Sequence, residues 1–267
     1  RSVQVQPNRN QKIVNRIIYN LSLKKILINQ RMLIVLFSFL KFYQKSGIQK
    51  VLRWLRILKM LPGNVSELEA SLPQIPNKFF NARDGVQQAQ LNTRAKVSLL
   101  TGCVMPLVHG PQMEGVVRVL NKNGCDVVVP VGQVCCGALN LHSGDLELGR
   151  ALARKNIDIF LQSNVDVIVT SSAGCGSSMK EYAELLSEDP NYADKAIRFS
   201  GITKDVTEFL VDLPWDPPTH KLTRKITYQD PCHLAHAQRI VDAPRKLLKS
   251  IKGVELIEDR KSTRLNS

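Results

Sequence analysis

The stretch "GQVCCGALNLHSGD" (residues 132–145) places two cysteines side by side and a glycine directly behind them. Two adjacent thiols pack no better than one, so the pair demands a chemical reason. The chain holds six cysteines, at 103, 125, 135, 136, 175 and 232. Cys103, Cys135, Cys136 and Cys175 lie in the glycine-containing turns "TGCVMP", "GQVCCGA" and "SSAGCGSS". Each of these turns follows a short apolar run. Thiolates on such turns are what a metal or cluster needs, because glycine lets the backbone approach and helix-start N–H groups point at negative sulfur. Thirty-one residues separate Cys103 from Cys135 and 38 separate Cys136 from Cys175. That is no zinc knuckle, which repeats C-x2-C, so a folded domain must bring the sulfurs together. Two other chemistries compete: a closed tetrahedral zinc site of the same four thiolates, and thiol–disulfide exchange at Cys135–Cys136.

The elements that must position them follow from the apolar pattern. Strands are expected over 96–101, 126–130 and 165–170, with helices over 112–123 and 145–162 between them. The strands are β-branched and apolar on both faces, as when helices cover a mostly parallel sheet. The fold class is therefore α/β. In such a sheet the strand C-termini share one edge, where ligands bind, so the four thiols are expected to converge there. Ser143 reads as the N-cap of the helix over 145–162, with Asp145 and Glu147 in its first turn. Leu148, Leu152, Ile159 and Phe160 read as its buried stripe. Cys125, opening "CDVVVP", reads as core. A later stretch, "KITYQDPCHLAHAQRIVDAPRKLLKSIKGVELI", repeats the layout strand, Cys, helix, Gly, strand found around Cys103, the signature of an internal repeat.

Charge is unevenly placed. Of 37 Lys and Arg, thirteen fall within residues 1–60, which hold no acid, and the remainder of the chain is nearly neutral against 23 Asp and Glu. The formal charge of +14 is thus no sign of nucleic-acid binding, for which no reading element is present either. Residues 1–60 read as a basic amphipathic helical arm, with Leu52, Trp54, Leu55, Ile57 and Leu58 between Arg53, Arg56 and Lys59. Such an arm suits anionic lipid or a partner subunit, or packing on its own domain. Its longest uncharged run, Met32 to Leu40, is too short to span a bilayer, which takes roughly 20 residues. Residues 61–95 read as a Pro-containing linker, 96–213 as a first cysteine-rich domain and 214–258 as the start of a second. The tail 259–267 has no periodicity and reads as foreign. The sparse cysteines and the lack of a signal-peptide pattern place the chain in a reducing, cytoplasmic setting.

The spacing C-x31-C-C-G-x37-C resembles the cysteine-rich CCG domain of the heterodisulfide reductases and related redox proteins. The stretches "VSLLTGCVMP", "CCGALNLH", "ARKNID", "SSAGCGSSMKEY" and "DPCHLAHAQRI" narrow the resemblance to the iron–sulfur subunits of glycolate oxidase. The resemblance implies an electron-transfer subunit with Cys103, Cys135, Cys136 and Cys175 as cluster ligands. Electrons would come from flavin-containing glycolate oxidase subunits and leave towards a quinone or other membrane acceptor, at the inner face of the cell membrane. It further implies a ferredoxin-like module before Arg1 and a second CCG domain represented here by its first cysteine, Cys232. The reductase form of the motif ends in C-x2-C, where this chain has Ser178, which favours one 4Fe–4S cluster over a larger double cluster and keeps zinc as the alternative. Close relatives serving lactate or glycerol-3-phosphate dehydrogenases share the motif. His142 and His236 are secondary cofactor-binding candidates.

Overall fold

The computed structural model describes residues 22–60, 64–81, 83–214 and 216–258. The expected tail 259–267 and the first 21 residues lie outside them. The chain divides into two compact units, 1–80 with 103–111, and 81–102 with 112–267.

In the first unit a π-helical turn, Ser22–Ile26, leads to α1 (Gln30–Lys45), α2 (Ile48–Trp54), α3 (Ile57–Met60) and α4 (Val65–Ala70). Asn29 caps α1, its Oδ1 accepting from the N–H groups of Arg31 and Met32. The basic amphipathic helix expected around Leu52–Lys59 is broken in two, because Arg56 adopts a left-handed φ of 55° between α2 and α3. Part of the basic face is spent internally. The buried Glu69 carboxylate accepts from Arg53 Nε at 2.9 Å, Gln49 Nε2 at 2.6 Å and Tyr43 Oη at 3.2 Å. Val35, Leu36, Phe39 and Phe42 form an exposed apolar stripe along α1. No helix among the described residues is long and apolar enough to cross a membrane.

The second unit is built on a five-stranded sheet in the order β1-β3-β2-β4-β5, comprising β1 (Arg83–Gln87), β2 (Ala95–Leu100), β3 (Cys125–Val129), β4 (Val167–Thr170) and β5 (Thr203–Asp205). All pairs are parallel except β1 with β3. The span 61–95 is therefore more than a linker, since it supplies α4 and the antiparallel edge strand β1. Charge and glycine in "RDGVQ" hid that strand. Along the chain β2 is followed by α5 (Met105–Val108), which belongs to the first unit, and by α6 (Gly110–Lys122), and β3 leads to α7 (Ala138–His142) and α8 (Leu146–Gln162). After β4 come α9 (Ala173–Lys180), α10 (Tyr182–Leu185) and α11 (Ala193–Gly201), with α12 (Val206–Asp212) following β5. The α/β class and the mostly parallel sheet flanked by helices are as the apolar pattern predicts. Val97, Leu99, Val127, Val129, Ile168 and Val169 are fully buried, as strands apolar on both faces require.

Two local expectations change. Asp145 rather than Ser143 caps α8, its Oδ1 accepting from Leu148 N–H at 3.3 Å. Ser143 instead ends α7, its hydroxyl donating to the Leu139 carbonyl at 2.7 Å. The buried stripe of α8 runs through Leu152, Asn156, Ile157 and Phe160, with Leu148 and Ile159 only half-buried.

A second sheet pairs β6 (Arg224–Tyr228) in parallel with β7 (Val254–Glu258), joined through a π-helical turn, His233–Ala237, and α13 (Asp242–Ser250). Arg224 pairs with Val254, and Ala95 with Cys125, thirty residues apart in both cases. Cys103 and Cys232 each follow the first residue of their strand by eight positions. The repeat read from the sequence is thus a repeated β–α–β unit of one length.

Candidate functional site

The paired cysteines lie in the turn between β3 and α7, and Cys175 in the first turn of α9, directly after β4. Both turns leave the C-terminal edge of the parallel sheet. Cys135 and Cys136 are buried and Cys175 half-buried. Their sulfurs meet: the Cys136 thiol hydrogen-bonds to Cys135 and to Cys175. These bonds, with burial, push the Cys136 thiol well above the ordinary range. The same bond from Cys136 holds Cys175 below its ordinary value, the Ser172 side chain assisting and burial opposing. The Gly137 N–H donates to Cys135 Sγ at 3.5 Å.

Glycine behind the pair has a conformational reason, for Gly137 takes a φ of +82° and serves as N-cap of α7. Gly102, at φ +70°, lies against Cys175, where a Cβ would stand 3.8 Å from Sγ.

Behind the sulfurs the backbone of the pair is tied to the core. Tyr182 Oη donates to the Cys136 carbonyl at 2.7 Å and Asn156 Nδ2 to the Cys135 carbonyl at 3.1 Å, while Asn156 Oδ1 accepts from Val134 N–H at 3.0 Å. Tyr182 and Asn156 are fully buried. Both stand in stretches, "SSMKEY" and "ARKNID", that the sequence marks without giving them a role.

Of the expected ligands, the second unit brings Cys135, Cys136 and Cys175 together. Cys103 follows Gly102 immediately but begins the segment 103–111 that belongs to the first unit, where the Phe80 N–H donates to the Pro106 carbonyl at 2.9 Å. Cys232 is exposed on the turn after β6. His142 is exposed at the end of α7 and meets His233 edge-on, ring centroids 5.8 Å apart. His236 is exposed on the π-helical turn after β6. Cys125 is buried at the start of β3, and burial pushes its thiol up to about 11. No disulfide joins the six cysteines. Among the described residues no group of three or more His, Cys, Asp or Glu side chains is disposed to close on one metal ion. Cys136 stands between the other two thiols, hydrogen-bonded to each. Their chemistry is that of a soft-metal donor set, since thiolates select iron–sulfur clusters or zinc over hard cations.

The family model described as a cysteine-rich domain, CCG, matches residues 97–180 and again 226–264. The two stretches begin in β2 and in β6, the first strands of the repeated β–α–β units. A second model, described as the linker region of the glycolate oxidase iron–sulfur subunit, matches residues 14–72. The chain is 33% identical over 261 residues to the probable glycolate oxidase iron–sulfur subunit of Bacillus subtilis (strain 168), covering 97% of this chain and 59% of that protein. It is 32% identical over 161 residues to the glycolate oxidase iron–sulfur subunit of Escherichia coli (strain K12), covering 59% of this chain and 40% of that protein. Over 161 residues it is 33% identical to lactate utilization protein A of Bacillus licheniformis, covering 60% of this chain and 67% of that protein. It thus spans less than two thirds of the two glycolate oxidase subunits.

Proposed function

Because the chain belongs to the family of CCG-domain iron–sulfur proteins that includes the glycolate oxidase iron–sulfur subunits, we propose that it is an electron-transfer subunit with a 4Fe–4S cluster held by Cys135, Cys136, Cys175 and Cys103. The observation that carries this reading is that Cys136 is hydrogen-bonded to both Cys135 and Cys175, on two turns leaving the C-terminal edge of a parallel sheet. When bound, such a cluster supplies one-electron transfer at a potential set by burial, net charge and hydrogen bonds to sulfur.

The residues of this chain do the rest. Cys136, whose thiol its two sulfur neighbours and burial push above the ordinary range, would hold the group only as a thiolate. Tyr182 and Asn156 satisfy and fix the carbonyls of the pair. The Gly137 N–H and the Ser172 side chain donate towards sulfur and stabilise its negative charge. Burial of the pair excludes water.

In the full assembly the electrons come from flavin-containing subunits that oxidise glycolate to glyoxylate and pass to a quinone or other membrane acceptor. The setting is cytoplasmic, with the basic first unit facing a partner or the inner membrane surface. The lactate-utilisation relative supports a second 2-hydroxy acid, lactate, as the alternative substrate of the partner subunit.

The test is iron, zinc and acid-labile sulfide per chain on protein purified without oxygen, beside a Cys135→Ser/Cys136→Ser variant. Iron and sulfide in near-equal amounts, lost in the variant, are expected. Zinc without sulfide would overturn the electron-transfer reading and leave a structural metal module.

A further inference from the structure

The second β–α–β unit reaches back to the helix that carries Cys175. Its π-helical turn is tightly made: the Pro231 carbonyl accepts from the N–H groups of Leu234 and Ala235, and the Gln238 N–H donates to the His233 carbonyl at 3.1 Å. Leu234 and Ala235 are buried. Single π-turns are costly and recur at functional sites.

From the end of this turn the Gln238 side chain lies across the first turn of α9. Its Nε2 donates to the Ala173 carbonyl at 2.9 Å. Only the amide nitrogen can donate to a carbonyl, so the orientation of the amide is fixed chemically. The amide also packs on Gly176, where a Cβ would stand 2.8 Å from Nε2 and 3.1 Å from Oε1, with Thr170 Cγ2 at 3.0 Å on the same site. Gln238 therefore touches the helix on both sides of Cys175, two residues before it and one after. Its Oε1 is buried with no hydrogen-bond donor among the described residues. A buried acceptor left without a donor opposes folding, so this contact is not what burial alone would select.

We propose that Gln238 is a positioning residue for Cys175, a clamp through which the second β–α–β unit fixes the turn carrying that sulfur and thereby tunes the group it holds. As a statement about the cluster this rests on the reading above. As a statement about the turn it does not. Glycine at 176 then has a specific reason, since its φ is ordinary but any side chain would meet the clamp first and Thr170 next.

The experiment compares the native chain with Gln238→Ala, Gly176→Ala and the double variant. Two readouts are taken: the electron paramagnetic resonance spectrum and midpoint potential of the anaerobically purified protein, and the alkylation rate of Cys175 after chelator removal of metal, with exposed Cys232 as internal reference. Gln238→Ala is expected to shift the potential, alter the spectrum and raise Cys175 alkylation several-fold relative to Cys232. Gly176→Ala is expected to do the same, and its effect on alkylation to shrink in the Gln238→Ala background, because the clamp it displaces is already gone. Unchanged Cys175 alkylation in folded Gln238→Ala protein, or strictly additive effects of the two substitutions, would overturn the proposal. If the native chain carries no iron and sulfide, the cluster reading fails, and the alkylation result alone decides whether Gln238 clamps the turn.

Discussion

Tyr182 and Cys136 are 46 residues apart in sequence, yet the buried phenol of one donates a 2.7 Å hydrogen bond to the backbone carbonyl of the other. The site is thereby tied to the core through its main chain rather than through its sulfurs. Burial is the first cause that pushes the Tyr182 phenol well above its usual value, so it remains a donor across the working pH range. Tyr182→Phe keeps the packing and strands the Cys136 carbonyl, at a cost of about 1–3 kcal/mol. Chemical denaturation of the metal-free variant measures it, and a loss near zero would show that the carbonyl has found another donor.

Gly137→Ala is expected to destabilise the protein by about 1–2 kcal/mol, the penalty of a left-handed backbone for an L-residue. Crowding is not the cause, since the nearest atom to the added carbon, in Gly149, lies 3.5 Å away. Gly137→Asn, which tolerates that conformation better, should recover part of the loss in the same denaturation assay.

Cys125 and Cys232 should sit at opposite ends of a labelling series. With its thiol pushed up to about 11 by burial, Cys125 stays in the thiol form and is closed to reagent. Brief alkylation at pH 8 followed by mass spectrometry should modify exposed Cys232 first and Cys125 only after denaturant is added. Early modification of Cys125 would mean that β3 opens in the native state.

Asp189 holds α8 to the segment after α10 through a 2.7 Å pair with Arg154 Nε. The Arg154 hydrogen bond holds the Asp189 carboxyl below its usual value, with burial opposing and the Asn191 N–H assisting. A carboxyl whose folded-state pKa is depressed stabilises above its unfolded pKa, about 3.9. That stabilisation is lost as pH falls through the lower folded value. Asp189→Asn should therefore lower the denaturation midpoint at pH 7 and converge with the native protein in acid. A constant difference down to pH 2 would refute the assignment.

What could be read without coordinates follows from range. The strands β2, β3 and β4 were legible to within one or two residues, because Val97, Val127 and Val169 stand in runs apolar on both faces. β1 was hidden, since an antiparallel edge strand can carry charge and glycine. The cap of α8 was misread by two residues because Gly144, at φ +81°, ends α7 in what looked like loop. The position of Cys135, Cys136 and Cys175 on glycine turns after strands is legible from local context. Tyr182, Asn156 and Gln238 act across 46, 21 and 65 residues respectively, on carbonyls that no local pattern reveals. The grouping of Cys103 with the first unit was likewise out of reach, for it joins 103–111 to residues such as Phe80 that lie more than twenty positions earlier in the chain.

The two sheets differ in how they end. The five-stranded sheet is closed on one side by an irregular antiparallel strand with a register shift between Arg83 and Val86, and on the other by a strand of three residues that runs straight into the capping box of α12 at Asp205. Such borders offer little purchase for an added strand. β6 and β7 pair only with each other among the described residues, so each carries an outer row of backbone donors and acceptors with no strand beside it. A two-stranded parallel ribbon is a poor structure by itself. Among the described residues, strand addition, whether productive assembly or unwanted aggregation, therefore finds its open edges at the flanks of the β6–β7 ribbon.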